Sequence, residues 1–210
     1  KVLFDKDREK SLKDAISKKF ELAIFDDGLQ DFKLKYDLRI VCFSSSLLAG
    51  NQLRIPSGPL REKLNNLRKF DAVFINGSNI NKQFLKKIKI INPEIYIFSG
   101  EYVSSNYNKL RKNNYLTFCG IGNPNSFRNT LNKYRIKNKI NLIYPDHYNY
   151  SELEIKKIKD IAKLKKLKIL TTEKDFYRIP VKLRKNINFL KINLKIKKLK
   201  EFEKFIFKYL

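Results

Sequence analysis

The strongest constraint on the fold is a repeated pattern: a short apolar run, a polar turn, then a stretch of helical period. The runs are Leu22–Phe25, Leu38–Phe43, Ala72–Ile75, Ile95–Phe98, Tyr115–Cys119, Lys168–Thr171 and Ile187–Ile192. Brief runs of this kind, mostly without polar alternation, suit strands buried on both faces of a parallel sheet. Between several of them lie helix-compatible stretches at 59–69, 79–90, 124–133, 151–166 and 197–209. Residues 6–19 form another, with Leu12, Ala15, Ile16 and Phe20 on one face. Strands alternating with helices predict an α/β architecture with mainly parallel sheets. The polar, turn-rich segment near 99–117 divides the chain into a first domain of residues 1–110 and a smaller α/β domain of 111–210 ending in a helix.

With 210 residues, 42% of them hydrophobic, the chain has ample material for a buried core. No apolar run approaches the roughly 18 residues of a membrane-spanning helix, and Lys1–Lys10 does not read as a signal peptide. Two cysteines, Cys42 and Cys119, are too few for a disulfide framework or a zinc site, which makes a reducing compartment the default. The absence of methionine, even at position 1, suggests a piece of a longer protein.

Forty-six Lys and Arg against 21 Asp and Glu give a net charge of +25. Such a chain is attracted to polyanions, whether nucleic acid, anionic lipid or phosphorylated substrates. An AT-rich coding bias toward Lys, Ile and Asn explains the same excess. The basic residues are spread along the chain, and no RNP-type, zinc-finger or helix-turn-helix signature accompanies them.

Five segments carry residues suited to chemistry. In Phe25-Asp26-Asp27-Gly28-Leu29-Gln30, two carboxylates follow an apolar run directly, at the strand end where open α/β sheets bind ligands. Hard oxygen donors there suit Mg²⁺, and a strand-terminating turn uses the same residues. In Ile55-Pro56-Ser57-Gly58-Pro59-Leu60-Arg61-Glu62, Pro59 suits the first turn of a helix capped by Ser57 or Gly58. Arg61 there is placed to pair with phosphate and Glu62 to reach a metal, or the two form a solvated pair. Gly120-Ile121-Gly122-Asn123-Pro124 makes a tight strand-to-helix turn without a P-loop lysine. Tyr144-Pro145-Asp146-His147-Tyr148 holds the only histidine of the chain, in a polar turn rather than on an apolar face. Thr171-Thr172-Glu173-Lys174-Asp175 reads as a capped, solvated helix start.

Taken in order, the D-R element (Asp7-Arg8), DDGLQ, PSGPLRE, a strand ending in Asn76-Gly77, GIGNP, PDHY and TTEKD resemble the tetraacyldisaccharide 4'-kinase family, from Val2 to about Asn193. The seven ordered blocks are specific together, although none is decisive alone. Two departures stand out. Asp31 occupies the position where the family usually has a histidine after DDGLQ. The family's Gly-rich P-loop and Gly-Asp-Glu block, which precede the D-R element, have no counterpart in this chain.

The resemblance implies an incomplete P-loop-kinase-like parallel-sheet domain followed by a smaller α/β domain, with a cleft between them that closes on ATP. It implies transfer of the γ-phosphate of ATP to the 4'-hydroxyl of a tetraacyldisaccharide 1-phosphate lipid, giving lipid IVA, with Mg²⁺ as the metal. By the same resemblance Asp26, Asp27 and Glu62 are the metal-side carboxylates, and Gln30 and Arg61 sit at the nucleotide end. His147, oriented by Asp146, partners a catalytic aspartate from the absent Gly-Asp-Glu block. Arg8 lies near the substrate's sugar and phosphate. The implied location is peripheral, at the cytoplasmic face of the bacterial inner membrane on an anionic surface, with no nucleic-acid partner. A chain without phosphate cradle and base is expected to be inactive alone. The competing readings are a basic α/β nucleic-acid-binding module and a non-catalytic lipid-binding homologue.

Overall fold

The computed structural model describes residues 2–210 apart from Phe4 and Phe32; Lys1 and Phe4, which belong to the opening block and the first domain, lie outside the described residues. The described elements are α1 (Arg8–Ser17), β1 (Ile40–Ser44), β2 (Ala72–Asn76), α2 (Lys82–Ile91), β3 (Tyr96–Ser104), α3 (Tyr107–Leu110), β4 (Asn114–Cys119), α4 (Pro124–Lys133), β5 (Lys137–Ile143), α5 (Glu152–Leu164), β6 (Lys168–Thr172), α6 (Glu173–Arg178), β7 (Ile187–Leu190), β8 (Ile192–Ile196) and α7 (Leu199–Ile206). They form two α/β units, Lys1–Glu101 with Lys195–Leu210, and Tyr102–Leu194. One sheet has the order β1-β2-β3-β8, and the other the order β5-β4-β6-β7. The β1–β2, β2–β3, β4–β5, β4–β6 and β6–β7 pairings are all parallel.

Each unit is organised by one strand buried on both faces. In the first, Val73 and Ile75 of β2 join Phe84 and Ile88 of α2, while Ala72 and Phe74 face Phe205 of α7. In the second, Leu116 and Phe118 of β4 meet Ile155, Ile158 and Ala162 of α5, whereas Tyr115 and Cys119 meet Phe127 and Leu131 of α4. The two-residue period of a strand thus sends alternate side chains to two cores, and both sets must be apolar. Helix ends follow side-chain chemistry. Ser151 and Glu154 form a reciprocal capping box on α5, Asn123 caps α4 just before Pro124, and Thr172 caps α6.

Four expectations need correction. Leu22–Phe25 is not a strand: it pairs with none of the described strands, and Ile24 is 87% exposed. An apolar run becomes a strand only where a neighbour satisfies its backbone. The helix expected over 59–69 shrinks to a 3₁₀ turn, Leu64–Lys69. Leu60 has committed its backbone to the preceding loop, donating to Leu53 O and accepting from the Ile55 N–H. β5 escapes a reading based on apolar runs because it is an edge strand with Lys137, Lys139 and Asn141 exposed. The apolar segment 187–192 divides between two sheets, β7 closing the second and β8 joining the first. Residues 195–210 accordingly fall in the first unit, not with the second domain as their position suggested, because Phe202 and Phe205 of α7 pack on Phe98 of β3 with ring centroids 5.0 Å apart.

Leu116 has no exposed surface, so Leu116→Ala is expected to cost about 2–5 kcal/mol. Lys139→Ala on the exposed edge should stay within about 0.5 kcal/mol. Urea unfolding followed by circular dichroism measures both.

Candidate functional site

In the first unit the acidic turn is held from three sides. Asp27 adopts a left-handed backbone at φ 52°, which aspartate tolerates, and opens a 3₁₀ turn over Gly28–Gln30. Arg8 Nη2 donates to the carbonyls of Asp26 and Asp27 at 3.3 and 3.1 Å, and Tyr36 Oη donates to the carbonyl of Gly28 at 2.8 Å. Arg61 grips the Asp27 carboxylate with both terminal nitrogens, Nη1 3.1 Å from Oδ1 and Nη2 3.2 Å from Oδ2, and Nη1 also donates to Gln30 Oε1 at 3.3 Å. Arg61 and Glu62 project from a loop, not a helix start. The loop is closed by the Gly58 N–H on Arg54 O at 3.0 Å and the Asn51 amide on Ser57 O at 2.7 Å. Gly58 is required there, since a Cβ would stand 2.4 Å from Leu53 O.

Asp26, Asp27, Gln30, Arg61 and Glu62 line one cavity of about 1130 Å³. Its other walls are mixed, with apolar Ile24, Phe25, Val41 and Leu64 beside charged Glu21, Lys35 and Asp37. Two features of these residues fit a hard cation. Glu62 Oε1 is buried without a hydrogen-bond partner, although Oε2 accepts from Asn66 Nδ2 at 2.7 Å. Asp27 and Gln30 are exposed oxygens already facing a guanidinium. Among the described residues no three His, Cys, Asp or Glu side chains converge closely enough to hold a metal. Asp26, Asp27 and Glu62 therefore do not make a three-carboxylate cage by themselves. The donor set suits Mg²⁺, which takes one or two carboxylates and completes its shell with water and phosphate oxygens.

Arg8 is committed to the turn carbonyls, and its Nη1 stands 3.7 Å from Asp31 Oδ2. The residue that replaces the expected histidine thus serves the arginine that secures the turn.

In the second unit the strand order β5-β4-β6-β7 places β4 beside β6 while their onward connections leave in opposite directions. The carboxyl ends of such a pair form the binding crevice of open α/β sheets. Gly120 follows β4 there, and α6 begins directly after β6. A Cβ on Gly120 would stand 2.9 Å from Pro145 O and 3.0 Å from Tyr150 Oη, so the glycine lets the 145–150 turn approach.

His147 sits in that turn at φ 59°, its N–H directed to Gly120 O at 3.2 Å and Asp146 Oδ1 at 2.9 Å. Asp146 acts on this backbone. The ring Nε2 is 3.9 Å from the same oxygen, beyond hydrogen-bond distance. Arg178 Nη2, 3.1 Å from Nδ1, is the hydrogen-bond partner of the ring.

Asp175 and Arg178, beside His147, were missed as site residues. Asp175 is not part of a solvated helix start but fully buried, at 0% exposure. Its Oδ1 accepts from Tyr150 Oη at 3.1 Å and its Oδ2 from Thr172 Oγ1 at 2.6 Å. Burial first, and then the Asp175 carboxylate, push the Tyr150 phenol far above its ordinary range and raise the Cys119 thiol to about 11. The sequence signals were the Thr172-x-x-Asp175 capping spacing and the Asp175–Arg178 separation of three on one helix.

Residues 1–210 match the family model described as tetraacyldisaccharide-1-P 4'-kinase. A tetraacyldisaccharide 4'-kinase of Pelagibacter ubique is 46% identical over 89% of this chain and 60% of its own length. Its counterpart in Rickettsia typhi is 36% identical over 75% of the chain and 48% of its own length, and that of Elusimicrobium minutum is 31% identical over 97% and 59%. The chain spans about half to three fifths of the length of these curated relatives.

The raised phenol predicts an alkaline stability loss. Above about pH 10 the unfolded chain releases the Tyr150 proton while the folded chain retains it, so stability falls as pH rises, by up to about 1.4 kcal/mol per pH unit. Tyr150→Phe is expected to be less stable at pH 7, having lost the Asp175 hydrogen bond, yet to show a shallower decline between pH 10 and 11. Urea midpoints across that range test the sign.

Proposed function

The chain belongs to the tetraacyldisaccharide-1-P 4'-kinase family, and we propose that its residues serve transfer of the γ-phosphoryl group of ATP to the 4'-hydroxyl of a tetraacylated disaccharide 1-phosphate. The observation that carries this reading is the single cavity bordered by Asp26, Asp27, Gln30, Arg61 and Glu62, in a chain that matches the family over its full length. Phosphoryl transfer asks a protein mainly to position groups and balance charge, which suits a bidentate arginine beside carboxylates.

Asp26 and the orphaned Glu62 Oε1 are the proposed metal-side oxygens. Magnesium, when bound, supplies charge neutralisation across the phosphate oxygens. The Asp27–Arg61 pair is exposed, so breaking it costs at most about 1 kcal/mol. Arg61 can thus exchange the carboxylate for a phosphate and leave Asp27 available to the metal. Gln30 steadies the guanidinium during that exchange. In the second unit, His147 presents Nε2 to solvent as the group that orients a carboxylate base at the acceptor hydroxyl, with Asp146 fixing its backbone.

A tetraacylated substrate resides in a bilayer. The proposed location is therefore the cytoplasmic face of the inner membrane, where a +25 chain is drawn to anionic lipid and nucleic acid is not the partner. No helix among the described residues is long and apolar enough to cross a membrane.

The 210 residues contain no Gly-x-x-x-x-Gly-Lys-Ser/Thr segment, and the chain alone is expected to transfer no phosphate. Joined to the stretch of the Pelagibacter ubique relative that it does not cover, it should phosphorylate tetraacyldisaccharide 1-phosphate from labelled ATP. In that chimera, Asp27→Ala and His147→Ala should each lower kcat by about 10²-fold or more. An inactive chimera whose parent relative is active, or variants as active as the chimera itself, would contradict the proposal.

A further inference from the structure

We propose that Arg178, anchored by the buried Asp175, is a positioning residue that fixes the tautomer and direction of the His147 ring. The inference rests on the reading of His147 given above and names the device that prepares it.

The His147 side chain is 81% exposed, so packing does not hold the ring. Its hydrogen bond comes from Arg178 Nη2, 3.1 Å from Nδ1. A guanidinium only donates, so Nδ1 must accept and the neutral ring must carry its proton on Nε2. That leaves an exposed Nε2–H donor, 3.9 Å from Asp146 Oδ1 and not hydrogen-bonded to it, the form suited to a carboxylate or phosphate oxygen.

Arg178 is fixed in turn. Its Nη1 donates to Gly120 O at 2.8 Å and lies 3.4 Å from Asp175 Oδ1. Asp175 cannot turn away, because Tyr150 and Thr172 occupy its oxygens and it has no exposed surface. Gly120 O also receives the His147 N–H, so one carbonyl sets both the backbone of the histidine and the side chain that aims its ring. The assembly lies at the carboxyl ends of β4 and β6, where the sheet's connections diverge. A purely structural arginine would need only the Gly120 and Asp175 contacts. The second nitrogen on an exposed imidazole adds little stability and much orientation.

His147 is the chain's single histidine, so its ring nitrogens can be read without assignment ambiguity. Long-range ¹H–¹⁵N correlation spectra of residues 1–210 should show one neutral tautomer, protonated on Nε2, with Nδ1 shifted as a hydrogen-bond acceptor. Arg178→Met keeps the stem and removes the donors, and should move the Nδ1 resonance to its position in a free imidazole and mix the tautomers. Arg178→Lys should recover part of the shift. Amide resonances of Leu116 and Ile158 report whether each variant keeps its core. An Nδ1 signal identical in the parent and the folded Met variant would overturn the proposal. Should the Met variant not fold, the parent decides alone: mixed tautomers or a freely rotating Arg178 guanidinium would overturn it, and a single tautomer with a slowed guanidinium would support it. The readout is the ring itself, so the device can fail while the chimera phosphorylates, or hold while it does not.

Discussion

Parallel pairing is the constraint from which the rest of the structure follows. Parallel neighbours cannot be joined by a tight turn, so each connection must cross a face of its sheet, and the helices that make those crossings bury both faces. β2 and β4 pay for this with apolar side chains at nearly every position. Little is left on a sheet face for polar chemistry. The residues with chemical potential therefore gather in turns and at strand ends, among them Gly120 after β4 and Thr172 at the end of β6.

The two polar assemblies built this way differ in kind. Around Asp27 the contacts are solvent-exposed and cheap to break, and Glu62 Oε1 is left without a partner, as suits a place where a ligand exchanges contacts with the protein. Around Asp175, itself at zero exposure, both carboxylate oxygens have hydroxyl donors, as suits a fixed support whose loss would strand a buried charge. One assembly can yield and the other cannot. The aspartate of the yielding assembly is held by an exposed arginine, and the histidine of the rigid one is hydrogen-bonded by a second arginine.

Legibility in the sequence followed the range of the interaction. Helices α1, α2, α4, α5 and α7 could be read from apolar period and caps, and the central strands from their uniform apolar character. Leu22–Phe25 was misread because its apolar residues say nothing about whether a neighbouring strand is present. β5 was hidden because the exposed face of an edge strand carries lysines. Among the proposed site residues, the acidic turn, Arg61, Glu62 and His147 stand out by residue type and turn context. Asp175 does not, because its burial depends on Tyr150, 25 positions earlier, and Arg178 does not, because it closes on Gly120, 58 positions earlier. Such contacts exist only once β4 and β6 lie side by side.

The proposed metal-and-nucleotide end of the kinase site consists of the turn after Phe25 and the loop bearing Glu62. Its most direct measurement is paramagnetic broadening of the ¹⁵N-labelled chimera by Mn²⁺ in place of Mg²⁺, with and without ATP. Broadening should centre on the amides of Asp26, Asp27 and Glu62 and be strengthened by ATP, with the Lys-rich edge β5 spared. Broadening scattered over the surface, or centred elsewhere and indifferent to ATP, would contradict it.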